Sequence, residues 1–323
     1  MLRVLALMLP LLTGLAQAAP HTILQRPLSL DTGSGELHGT LLLPQRDTPV
    51  PVALLIAGSG PTDRDGNNPH GGRNDSLKRL AQVLAKHGIA SLRYDKRGVA
   101  RSLQAAPREE ELSVERYVAD AVAWSHLLRT DPRLGRLTLI GHSEGALIAS
   151  LAAEQAGATA LISIAGSARP IDQVLAGQLQ GKLQPPLLTL SLALIDSLKA
   201  GQLQPQVPET LQVLFRPSVQ PYLISLFRQD PAAAFARLRI PALIVQGRHD
   251  IQVGVADAEA LKVAKPDAEL VLIDGMSHML RIVPADLAQQ LAAYNDPSLP
   301  LARELSERVI DFIRRNSTVP ALQ

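Results

Sequence analysis

The chain has 323 residues, with 32 Lys and Arg against 30 Asp and Glu, a formal charge of +2. Hydrophobic residues make up 46% of it and charged residues 19%, which excludes a disordered chain and allows a large core. The absence of cysteine excludes disulfides, thiolate metal sites, a cysteine nucleophile and a lipid-modified N-terminal cysteine.

Near-neutral charge with one Trp, four Tyr and four Phe argues against a nucleic-acid partner, which needs a basic stripe or a stacking platform. At about 150 residues per domain, the length fits two domains or one α/β domain with an insertion.

Met1 to Ala18 reads MLRVLALMLPLLTGLAQA: one early cation (Arg3), an apolar run from Val4 to Leu12, then the small-x-small site Ala16-Gln17-Ala18. That is the pattern of a secretory signal peptide, with cleavage expected after Ala18. The apolar run is shorter than the about 20 residues a membrane span needs. The expected product is exported, periplasmic or secreted, with no stable membrane anchor after cleavage.

Thr22–Leu43 alternates weakly around Asp31-Thr32-Gly33-Ser34-Gly35 and reads as an antiparallel hairpin at a sheet edge. Val52–Ala57 is a short apolar run, as expected of a strand buried on both faces, and it leads into the loop GSGPTDRDGN (58–67). Ser76–Lys86 sets Leu77, Leu80, Ala81 and Leu84 at helical spacing. Ala90–Tyr94 is the next strand, followed by a charged turn, Tyr94–Ser102, read as structural. A helix is predicted over Val114–Leu128. Leu137–Ile140 then runs directly into Gly141-His142-Ser143-Glu144-Gly145 and a helix over Gly145–Glu154. Another strand follows over Ala160–Ile164.

From 167 to 236 the alternation stops. Helix-like pieces (Asp172–Gln180, Leu187–Ala200, Tyr222–Gln229) stand between Pro185-Pro186, Pro205, Pro208, Pro217 and Pro221, which reads as a helical cap. The strand pattern resumes at Ala242–Gln246, ending in Gly247-Arg248-His249-Asp250, and at Leu270–Ile273, ending in Asp274-Gly275-Met276-Ser277-His278. An amphipathic helix is predicted over Leu301–Ile313. Strands alternating with helices imply an α/β fold with a mostly parallel sheet and helices on both faces. The expected organisation is a core of residues 19–166 and 237–323 with the cap, 167–236, inserted between them.

The chemistry collects at three strand ends. Ser143 is the centre of a G-x-S-x-G in the required context of strand, sharp turn and helix, with Gly141 and Gly145 keeping the turn uncrowded. A serine hydroxyl needs a base, and the base needs an acid to orient it. The order expected after such an elbow is acid, then histidine, which selects Asp250 and His278. His249 is the rival base and Asp274 the rival acid; His142 is expected to point elsewhere. Two backbone N–H groups should bind an oxyanion, those of Glu144 and Ser59, with Gly60 as alternative to the latter. Asp63, Arg64 and Asp65 read as a loop-stabilising ion-pair cluster, with an acyl-pocket or substrate role as the alternative. Gly58-Ser59-Gly60 lacks the Lys-Ser/Thr pair or G-x-G-x-x-G of a nucleotide site.

GSGPTDRDGN (58–67), RYDKRGVARS (93–102), GHSEG (141–145), GRHD (247–250) and SH (277–278) together resemble the α/β-hydrolase superfamily, in particular the bacterial esterases grouped with serine-aminopeptidase-like hydrolases. The resemblance extends over essentially the whole mature chain. It implies Ser143, Asp250 and His278 as catalytic residues and a helical cap over the site. Ala100 departs from the glycine usual in R-G-x-G-x-S, which bears on the turn rather than the chemistry.

The expected activity is hydrolysis of a small-molecule acyl ester, with neither cofactor nor metal. An aminopeptidase or amidase is the alternative, and a non-catalytic ligand-binding protein would need a missing triad member. Nothing in the sequence bears on oligomeric state.

Overall fold

The computed structural model describes residues 22–317. The leader expected over Met1–Ala18 lies outside them. One eight-stranded sheet in the order β1-β2-β4-β3-β5-β6-β7-β8 organises the fold. At one edge β1 (Ile23–Asp31) and β2 (Glu36–Pro44) form the antiparallel hairpin expected from the alternation. β2 pairs antiparallel with β4 (Ala90–Tyr94); from β4 onward through β3 (Val50–Ile56), β5 (Leu134–His142), β6 (Ala160–Ile164), β7 (Ala242–Gly247) and β8 (Glu269–Ile273) every pairing is parallel. β4, β6 and β7 are buried at every position, which is why they read as continuous apolar runs rather than alternating ones.

Helices cover both faces. α1 (Ser76–Lys86) and α11 (Arg303–Ser317) bury Leu77, Leu80, Leu84, Val309 and Phe312 against Leu55, Ile140, Ile162 and Val245. On the other face α2 (Val114–Arg129) and α3 (Glu144–Ala156) bury Trp124, Leu128, Ile148 and Ala152 against Leu54, Leu139 and Ile244. Each fully buried leucine or valine contributes about 1.5–3 kcal/mol before entropy is subtracted.

The segment after β6 forms α4 (Ile171–Gln180), α5 (Pro185–Lys199), α6 (Gln212–Phe215) and α7 (Gln220–Phe227). They enclose their own apolar cluster of Leu179, Leu194, Leu198, Phe215, Ile224 and Phe227. α8 (Pro231–Ala236) falls within the expected cap segment but packs differently. Its Phe235 joins the core layer, because proline at the first helical turn and the Asp230 cap restart the helix against α3.

α9 (Val255–Ala264) follows β7 and α10 (Leu287–Ala293) follows β8, and neither is legible as a helix in the sequence. The alanine-rich α9 offers little apolar contrast between its faces.

The helical segment between β6 and β7 is fastened to the rest of the fold at several points. Leu226 packs with Val114 and Leu147, and Ser225 Oγ accepts from Val114 N at 3.0 Å. Glu109 accepts from Arg216 Nε at 2.8 Å and Ser218 Oγ at 2.6 Å. Burial pushes the Glu109 carboxyl upward, but Arg216 and Ser218 outweigh it and hold it below its ordinary range.

β3 has β4 on one side and β5 on the other, so the chain order reverses there. Ligands of open α/β sheets sit outside the strand C-termini at such a switch point. The loops after β3 and β5 meet at this position.

Candidate active site

Ser143 occupies the turn between β5 and α3 with φ 55° and ψ −124°, a conformation that costs about 1–3 kcal/mol for a non-glycine residue. The surrounding structure holds it: Ser143 N donates to Ile164 O at 2.9 Å, and Ala146 N donates to Ser143 O at 2.9 Å. The flanking glycines are obligatory for space. A Cβ on Gly141 would lie 2.2 Å from Gly145 O, and one on Gly145 would lie 2.2 Å from Ile56 O. Gly58, at the end of β3, is also close; a Cβ there would meet Ser143 Cβ at 3.2 Å.

Parallel pairing of β7 with β8 brings the next two residues together. His278 Nδ1 lies 2.7 Å from Asp250 Oδ2, with the side chains 3% and 1% exposed. Asp250 Oδ1 accepts from Gln252 N at 2.8 Å and Val253 N at 2.9 Å, while Gln246 Nε2 donates to Oδ2 at 3.2 Å. Burial pushes the Asp250 carboxyl upward. His278 and the two backbone donors outweigh this, leaving it below the usual carboxylate range. The second oxygen is thus an ionised acceptor aimed at the imidazole. Ser143 is half-buried and His278 is buried.

The rival residues are engaged elsewhere. His249 Nδ1 donates to Val283 O at 2.7 Å, and Asp274, 90% exposed, pairs with Arg248 at 2.7 Å.

His142, expected to point elsewhere, instead lies against His278. Its Nε2 donates to His278 O at 2.9 Å and the two rings lie 4.8 Å apart. Burial, aided by the neighbouring His278, pushes its pKa down to about 3, so it stays neutral. It fixes the backbone that carries His278. Its partner is 136 residues away in sequence, so no local pattern could disclose it.

Glu144 opens α3, where first-turn N–H groups lack intrahelical acceptors. Ser59 is exposed in the loop after β3, its carbonyl accepting from Thr62 Oγ1 at 2.8 Å. Beyond it, Asp63 Oδ1 accepts from Asp65 N at 2.8 Å and Asn67 N at 2.9 Å. Arg64 pairs with Asp95 at 2.6 Å and Asp65 with Arg93 at 2.7 Å. Arg64 and Asp65 thus tie the loop by ion pairs to residues of and just after β4, as the ion-pair reading expects, whereas Asp63 holds only backbone N–H groups of the loop itself.

Sequence reasoning missed two side chains. Lys96 lies buried behind the loop with Nζ donating to Gly58 O and 3.8 Å from Glu144 Oε1. From the cap, Tyr222 donates its hydroxyl to Glu144 Oε2 and packs edge-on to Tyr117 at 5.8 Å. Among the described residues no group of three or more His, Asp or Glu side chains is placed to hold a metal ion.

The family described as serine aminopeptidase, S33, matches residues 66–282. Esterase EstD of Thermotoga maritima is 30% identical over 250 residues, which are 76% of this chain and 58% of that protein. The chain therefore spans little more than half the length of this curated relative. Among solved structures, Est1E from Butyrivibrio proteoclasticus with ferulic acid bound aligns with a TM-score of 0.62 at 18% identity, covering 90% of this chain and 98% of that one. XC6422 from Xanthomonas campestris, described as a serine hydrolase without a lid, aligns with a TM-score of 0.52 at 20% identity, covering 93% and 97%. At such identities these two demonstrate a common fold and nothing finer.

Proposed function

The chain belongs to the serine aminopeptidase S33 family of α/β-hydrolases, and on that footing we propose that it cleaves carboxylic esters through an acyl-enzyme on Ser143. The observation that carries this reading is the buried pair of Asp250 and His278, 2.7 Å apart, on the same sheet edge as the strained Ser143 elbow. Ser143 Oγ attacks the ester carbonyl carbon while His278 Nε2 takes its proton. The carbon–oxygen bond to the alcohol breaks as His278 returns that proton to the leaving oxygen. Water, deprotonated by His278, then attacks the acyl carbon and releases the acid and Ser143. Asp250 holds the ring and stabilises its charged form. The N–H groups of Glu144 and Ser59 bind the oxygen that gains charge.

Esters are favoured over aminoacyl amides by the fate of the acidic group beside the nucleophile. An aminopeptidase needs a carboxylate to receive the substrate ammonium. The Glu144 side chain is already committed to Lys96 and Tyr222, the Asp63 side chain to backbone N–H groups of its own loop, and Asp65 to Arg93 of β4. The name of the Thermotoga maritima relative supports the same choice.

The test is turnover of nitrophenyl esters beside aminoacyl nitroanilides. The reading expects hydrolysis of the esters; efficient cleavage of the anilides with poor ester turnover would replace it with the peptidase reading. Export is part of the proposal and rests on the Arg3, apolar run and Ala16-Gln17-Ala18 pattern. A mature N-terminus at Ala19 is expected, and an intact Met1 in the recovered protein would contradict it.

A further inference from the structure

Lys96 presents a physical problem that the reaction scheme leaves open. Its side chain is 1% exposed, and burying an ammonium costs several kcal/mol unless partners repay it. Packing alone would be served better by methionine. Three groups meet the charge: the Gly58 carbonyl, which accepts from Nζ; the Glu144 carboxylate, 3.8 Å away; and the Tyr117 ring, 5.2 Å from Nζ to its centroid. Burial pulls the ammonium below its ordinary range, and Glu144 opposes that pull.

Two of those partners belong to the peptides that the ester reading uses. Gly58 O and Ser59 N–H are the two ends of one planar trans peptide and point in opposite directions. Holding the carbonyl on Lys96 therefore fixes the direction of the Ser59 N–H. This control matters because Ser59 and Gly60 are exposed at the surface of the loop, and Lys96 reaches the peptide from its buried side. An ammonium on the carbonyl also draws electron density toward the oxygen and makes the N–H a better donor. Glu144, the second partner, carries the other expected donor on its backbone, and its Oε1 has no hydrogen bond among the described residues. Lys96 thus touches both halves of the oxyanion site from behind.

We propose that Lys96 is a positioning residue for oxyanion stabilisation, holding the Gly58–Ser59 peptide with its N–H turned into the site and tying it to Glu144. The inference rests on the reading that Ser59 and Glu144 donate to the oxyanion. Tyr222 completes the arrangement from the cap by occupying the other Glu144 oxygen.

Lys96→Met tests it, because methionine keeps the volume and removes the donor and charge. A misdirected donor should lower kcat for a nitrophenyl ester by about 10- to 100-fold, somewhat less than removing a donor outright. KM should stay within about twofold, since the ground-state carbonyl gains little from these amides. An alkylboronic acid, which forms a tetrahedral anionic adduct on serine, should bind more weakly by the same factor as kcat falls. A purely structural role would instead lower the melting temperature without that matched loss. If Lys96→Met does not fold, Glu144→Gln serves: it keeps shape and N–H, and is expected to lower kcat and boronate affinity together.

Unchanged kcat and boronate affinity in a folded variant overturn the inference while wild-type turnover and Ser143 labelling leave the ester reading intact. A wild type that neither turns over esters nor reacts at Ser143 defeats that reading, and the inference with it.

Discussion

Asp250 Oδ2 and His278 Nδ1 lie 2.7 Å apart although 28 positions separate them in the chain. The contact exists because β7 and β8 are parallel neighbours, so their C-terminal loops open on one edge. Asp250 also holds Gln252 N and Val253 N on its other oxygen, which leaves one carboxylate oxygen for the ring. On the proposed mechanism the imidazole keeps its proton on Nδ1, toward Asp250, and uses Nε2 as the base for Ser143. Asp250→Asn preserves the shape but can donate to Nδ1, which favours the wrong tautomer. The expected loss in kcat is about 10⁴-fold with little change in KM, read from steady-state ester hydrolysis. A loss below about tenfold would show that the ring is oriented by other contacts.

His142 gives a pH signature to stability. Its folded-state pKa is pushed from 6.5 down to about 3, chiefly by burial, so between these values the unfolded chain holds more protons than the folded one. Stability from this residue is therefore present above pH 6.5 and is lost as pH falls toward 3, with a slope approaching about 1.4 kcal/mol per pH unit. His142→Gln retains a donor for His278 O and removes the titration. Urea unfolding at pH 7, 6, 5 and 4 should show a shallower loss for the variant; parallel curves would contradict the assignment.

Ala100 sits at φ 44°, in the left-handed region, at the position where the resembling family usually has glycine. An L-residue there costs about 1–2 kcal/mol. Glycine removes the strain but raises unfolded-state entropy by about 0.4–1 kcal/mol. Ala100→Gly should stabilise the protein by roughly 0.5 kcal/mol and raise Tm by one or two degrees, on the order expected at this size. Scanning calorimetry checks it. A lower Tm would mean that the Ala100 methyl packs usefully.

The parts of this fold that were legible in the sequence are those governed by local rules. Strands buried on both faces read as apolar runs ended by glycine or charge, and the elbow's glycines declare a turn that admits no Cβ. Asp250 and His278 could be chosen because each follows such a strand. Lys96 and Tyr222 escaped because their importance lies in contacts with Gly58 and Glu144, 38 and 78 positions away. Lys96 sits inside a charged run that resembles a solvated turn, and only the folded chain reveals that it is buried. The cap helices were legible individually, but the packing that divides α8 from α7 depends on which apolar surface each one meets.

The central claim is that Ser143 is the nucleophile, and covalent labelling tests it most directly. Wild-type protein treated with a fluorophosphonate should gain one adduct, mapped by peptide mass to the segment containing Ser143, and Ser143→Ala should gain none. A wild type that stays unlabelled, or a Ser143→Ala variant that still labels, would contradict the account.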